Sequence, residues 1–180
     1  MAQSSNQIDV YLEIGKKRVF AGVVEWPGWC RSGRDEQSAL QALLAYGPRY
    51  AQALQTSGLA FQPPDEVSAF NVVERLDGST TTDFGAPAAM PVLDTRPVEV
   101  SDLQRFQKVL EACWQAFDAI TQEAVGRVLR KGPRGGGRSL EGIIDHVQGA
   151  DTGYLSSLGG KLILNKTADT GAMLAQTRQA

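Results

Sequence analysis

Ile8-Asp9-Val10-Tyr11-Leu12-Glu13-Ile14, then Gly15-Lys16-Lys17, then Arg18-Val19-Phe20-Ala21-Gly22-Val23-Val24-Glu25, is the stretch on which the fold turns. Ile8, Val10, Leu12 and Ile14 alternate with Asp9, Tyr11 and Glu13, the period of a strand with one buried face. Gly15-Lys16-Lys17 supplies a tight turn, so a hairpin is expected whose second strand runs from Arg18 to Glu25. After the Trp26-Pro27-Gly28 turn a short third strand, Trp29 to Ser32, extends the meander, and Pro27 stays out of the ladder because it has no N–H to donate.

Asp35 is a good N-cap for a helix in which Ala39, Leu40, Leu43, Leu44, Ala51 and Leu54 recur at helical spacing. Gly47-Pro48 predicts a kink or a restart, with the second piece ending near Gln55. Another strand is expected from Val67 to Leu76, closed by Asp77-Gly78. Residues 1–78 thus read as a small antiparallel β-β-β-α-β module. Residues 79–100, rich in threonine and proline and without a sustained period, read as a linker. A capping box of Ser101 with Gln104 then opens the strongest helix, with Leu103, Phe106, Leu110, Cys113, Phe117, Ile120, Ala124 and Val128 as its apolar seam. Arg130 to Arg138 breaks it, and Ser139 caps a second helix carrying Leu140, Ile143, Val147, Ala150, Tyr154 and Leu158. Residues 101–160 are expected to form an antiparallel helical hairpin, part of a bundle, with a tail over 161–180. The fold class is therefore α+β.

The 180 residues carry a net charge of −2, so no global positive field draws the molecule onto nucleic acid or an anionic membrane. The opening MAQSSNQIDV has neither a basic nor an apolar signal region, no stretch approaches the length of a bilayer span, and Cys30 and Cys113 read as reduced thiols. A cytoplasmic protein without membrane contact is expected. Cys113 sits on the apolar seam, whereas Cys30 stands beside Arg31, a cation that can favour a thiolate.

The segment Glu25-Trp26-Pro27-Gly28-Trp29-Cys30-Arg31-Ser32-Gly33-Arg34-Asp35-Glu36-Gln37-Ser38-Ala39-Leu40 resembles the strand-turn-strand-helix signature of HicB-type antitoxin domains, over roughly residues 8 to 76. That resemblance implies a partial ribonuclease-H-type fold, without nuclease activity of its own, that binds a small protein partner. The stretch from Leu110 to Leu158, with Trp114 and Phe117 on one helix and His146 on the next, is similar to the first half of DinB/YfiT-type four-helix bundles. In those bundles three histidines hold a divalent metal such as zinc or nickel, and only His146 carries over; the sequence has a single histidine. The other histidines would have to come from a longer natural chain, of which this one is a truncation near Gly160, or from another subunit.

Candidate functional residues are therefore few. His146 is a candidate metal ligand. Trp26 and Trp29 flank the Pro-Gly turn and serve either as a plug over the sheet or as a partner-binding patch. Arg130, Lys131, Arg134 and Arg138 stand in a glycine-rich loop before a helix N-terminus, a composition able to meet an anion, although it matches no nucleotide-binding fingerprint. The reading that needs no missing residues is a non-enzymatic interaction module whose sheet engages a protein partner and whose helices set homo-oligomerisation. A degenerate DinB-like metal enzyme and a nucleic-acid-associated regulator are the alternatives.

Overall fold

A computed structural model describes residues 7–130, 137–159 and 177–178. The chain divides into two compact units, Met1–Ala116 and Phe117–Ala180.

In the first unit, β1 (Ile8–Ile14), β2 (Val19–Val23) and β3 (Cys30–Gly33) form the expected meander, α1 (Glu36–Leu54) follows, and β4 (Phe70–Asp77) completes a four-stranded sheet of order β3-β2-β1-β4. The molecule is α+β, but the sheet is mixed, not antiparallel: β4 runs parallel to β1. β3 and β4 lie on opposite edges and point the same way, so α1 is the crossover that such a parallel return requires.

Val10, Leu12, Val19, Ala21 and Val23 face α1 and are buried against its Ala39, Leu43, Tyr50 and Leu54. Asp35 caps α1 as its residue type predicts: its carboxylate accepts from Ser38 N at 2.7 Å, and the Ser38 hydroxyl accepts from Asp35 N at 3.0 Å. The close fit of helix on sheet depends on Gly33, where a Cβ would stand 2.3 Å from Ala39 N. Of the kink or restart expected at Pro48, the restart does not occur; α1 is one helix with Pro48 inside it. The proline ring lies on the exposed side, and preceding Gly47 is buried, allowing Pro63 and the Trp29 ring to press against the helix. Trp29 also donates from Nε1 to Leu43 O at 3.0 Å, which ties the sheet to the turn preceding the proline.

The segment read as a linker is not one. Ser79 caps a short helix, α2 (Thr80–Phe84), a 3-10 turn follows at Val92–Thr95, and the stretch lies within the first unit. It forms a strap over the second sheet face, the one that alternation in β1 marked as polar. A bulge at Val73 assists: Val72 pairs with Val10 but Glu74 with Tyr11, so the extra residue turns Glu74 onto the strap side. There the Glu74 carboxylate accepts from Val92 N at 3.0 Å.

α3 (Val100–Glu123) begins one residue before Ser101, so the predicted Ser101–Gln104 box is absent. Asp102 serves instead, accepting from Glu99 N at 3.3 Å. Its core-facing side is also rotated from the predicted seam: Val109 and Ala112 are buried, whereas Leu103 and Leu110 are exposed. Val109 and Ala112 join the same core as Trp29 and Tyr50, so this helix draws its support from the sheet module and is not reserved for a helical hairpin. The unit boundary accordingly falls inside α3, not in the segment 79–100.

In the second unit, α4 (Leu140–Ser157) starts where Ser139 predicts, with Ser139 Oγ accepting from Gly142 N at 3.2 Å. Its expected stripe is only partly covered, since Tyr154 and Leu158 are exposed while Ile143 and Val147 are half-buried. Arg178 pairs with Asp118 at 2.7 Å. Most of the predicted tail, 161–180, lies outside the described residues. No helix among the described residues is long and apolar enough to cross a membrane.

Candidate functional site

β1 presents Tyr11 and Glu13 to the strap, and they are used differently. Glu13 is fully buried. Its carboxylate accepts from the Thr82 hydroxyl, from Ala88 N at 2.9 Å and from Ala89 N at 2.9 Å. Asp83, on the strap itself, accepts from Lys17 N at 2.7 Å and Arg18 N at 3.2 Å at the β1–β2 turn. Acidic side chains thus hold the strap by charge-assisted bonds to backbone and hydroxyl donors, and among the described residues no cation pairs with Glu13.

Beside this attachment lies a cavity of about 480 Å³. Tyr11, Phe20, Gly22 and Cys30 form its floor on the sheet, Asp94 comes from the strap, and Phe106 comes from α3. Gly22 is required there, because a Cβ would stand 2.5 Å from the Tyr11 ring, which therefore lies flat across the strand. Burial pushes the Tyr11 hydroxyl up to about 12, and the neighbouring acids Cys30, Asp94 and Glu13 push in the same direction. Next in sequence to the lining residue Val24, Glu25 receives Arg96 at 2.9 Å and also pairs with Arg105. Burial raises the Glu25 pKa, but the hydrogen bonds from Arg96 and Arg105 outweigh it and hold the carboxyl below its usual range.

The residues singled out in sequence fall in separate places. Trp29 is fully buried, edge-on to Phe61 at 5.0 Å and stacked on Tyr50 at 6.0 Å, so it is the plug and offers no surface to a partner. Trp26 is half-buried against Phe61 at 4.8 Å. Cys30 is not activated: burial raises its pKa, and Arg31 opposes that only in part. Cys113 is likewise raised by burial. His146 is exposed on α4, and among the described residues no three His, Cys, Asp or Glu side chains are grouped to hold a metal ion.

Lys131 and Arg134 lie outside the described residues. Arg130 and Arg138 are exposed and line a cavity of about 570 Å³ within the second unit. The N-terminus of α4 beside them already has its own acceptors. Ser139 takes the Gly142 N–H, and the Glu141 backbone N–H and the Ser139 hydroxyl hold the Glu141 carboxyl below its usual range. An incoming anion would meet that carboxylate.

Tyr11, Asp94 and Phe106 were not legible as a group, because they come from three elements and share no motif. The one signal was a glutamate and a tyrosine on the same face of β1, ahead of a proline-rich segment able to cover them. Comparison with protein-family models, with curated proteins and with solved structures finds no match for this chain.

Proposed function

We propose that this protein is a non-enzymatic interaction module of HicB-like type, whose sheet unit engages a protein partner and whose α3 helix mediates self-association. The observation that carries this reading is the second apolar face of α3. Val109 and Ala112 are buried in the core, while Val100, Leu103 and Leu110, spaced by three and seven, stay 70%, 58% and 47% exposed. A helix with one apolar face in use and another in water is suited to association with a further helix. The resemblance to HicB-type domains fits the same role, as does the order β-β-β-α-β of the sheet unit. A reducing, cytoplasmic setting suits the two free cysteines.

Native mass spectrometry of the wild type and of a Leu103→Glu/Leu110→Glu variant tests this reading. The wild type is expected as a dimer or larger assembly and the variant as a folded monomer. A wild type that stays monomeric at all concentrations overturns self-association. One zinc or nickel ion per assembly, lost in His146→Ala, would replace it with a metal site shared between chains.

A further inference from the structure

The cavity between sheet, strap and α3 has a consistent chemical character. Its volume of about 480 Å³ lies in the range of small-molecule sites. Three of its walls are aromatic rings, Tyr11, Phe20 and Phe106, from three different elements. Pro87 and Pro91 of the strap add rigid apolar surface. Every ionisable group that lines it is an acid, namely Tyr11, Cys30 and Asp94, and no Lys, Arg or His lines it among the described residues. The nearby guanidinium groups of Arg96 and Arg105 are both engaged by Glu25; Arg105 is also engaged by Asp102 and stands 5.3 Å from the Phe106 ring centroid. Asp94 forms no ion pair within 4.0 Å among the described residues. Burial raises both Tyr11 and Cys30, so near neutral pH they are uncharged and Asp94 carries the charge among the lining residues.

An anion is disfavoured at such a site, and a wholly apolar ligand would leave the Asp94 charge unused. A cation with apolar substituents satisfies both features, since aromatic faces attract it through their quadrupoles and the carboxylate supplies the counter-charge. We propose that this cavity is a binding site for a substituted ammonium group, enclosed by the rings of Tyr11, Phe20 and Phe106 and balanced by Asp94. Phe106 neighbours Leu103 and Leu110 on α3, but neither of these leucines lines the cavity, so either reading can fail without the other.

The test compares choline with its neutral carbon isostere, 3,3-dimethylbutan-1-ol, by NMR titration of the full chain. Saturable shifts are expected for the amides of Tyr11, Cys30 and Asp94, with choline bound at least about tenfold more tightly than the isostere. Asp94→Asn removes a charge at an exposed position without disturbing the core, and is expected to erase most of that preference. Slower alkylation of Cys30 in the presence of choline gives a second readout in the same wall. A peptide carrying trimethyllysine distinguishes the source: tighter binding than choline assigns the group to a protein side chain, weaker binding to a free small molecule. Equal affinity for choline and the isostere, absence of saturation with every ammonium probe, or an unchanged preference in Asp94→Asn overturns the proposal.

Discussion

The Thr82 hydroxyl donates its proton to the carboxylate of Glu13 and, with the same oxygen, accepts from Ser79 N at 2.8 Å. One side chain therefore closes the capping box of α2 and fastens α2 to the sheet, and both residues are fully buried. Glu13 completes the attachment by accepting from Ala88 N and Ala89 N.

Removing either partner strands the other. Glu13→Gln keeps the shape but substitutes an NH2 donor for an acceptor facing donors, and Thr82→Val removes the hydroxyl. Each is expected to destabilise the first unit by roughly 2 kcal/mol, the cost of a lost charge-assisted bond with a buried group left unpaired. Denaturant unfolding measures the loss, and hydrogen exchange at Ala88 and Ala89 should quicken more than at Val10 or Leu12. Equal acceleration throughout the sheet would mean that Glu13 supports the core and not the strap.

Gly22→Ala places a methyl group in the Tyr11 ring, with the nearest ring atom 2.5 Å from the new carbon. The expected cost is about 1–3 kcal/mol from overpacking. The double variant Gly22→Ala/Tyr11→Ala should lose less than the sum of its single changes, because the clash disappears with the ring. Additivity in the double-mutant cycle would count against this contact.

Stability should fall in acid partly through Glu25. Burial alone would raise its pKa, but Arg96 and Arg105 hold it below the ordinary range in the folded chain. The contribution is present above the unfolded value of about 4.3 and is lost as pH falls through the lower folded value. Glu25→Gln should therefore flatten the decline in unfolding free energy below about pH 4.3, with little change in slope near neutrality. A parallel decline in the variant would assign the acid sensitivity to other carboxylates.

At alkaline pH the sign reverses. The Tyr11 hydroxyl is raised to about 12, by burial first and by Cys30, Asp94 and Glu13 after it. Its contribution is complete below the unfolded value of about 10 and disappears as pH rises through the folded value. Tyr11→Phe should reduce the loss of stability between about pH 10 and 12, as measured by denaturant unfolding at fixed ionic strength. An identical loss in wild type and variant would remove Tyr11 from the explanation.

The features legible in the sequence are those governed by local rules. Alternation in β1, the Gly15 turn, Asp35 and Ser139 as caps, and the extents of α1 and α4 all follow from side-chain period and nearby hydrogen bonding, and they recur in the structure. The restart expected at Pro48 is not seen although its rule is local. Packing of Gly47 against Pro63 and Trp29, with the proline ring turned outward, keeps the helix continuous.

The amino-acid order by itself determined the three-strand meander, the helix that follows it and the two later helices, because each rests on contacts within a few residues. Only the tertiary structure decided that β4 lies parallel to β1, that Val73 bulges, that α3 turns Val109 instead of Leu110 inward, and that Ser79 to Thr95 straps the second face of the sheet. The strap has no hydrophobic period to announce it. Its attachments to β1 and the β1–β2 turn are single hydrogen bonds between residues 65 to 76 positions apart, and a bond of that kind leaves no pattern in the chain until folding brings its two ends together.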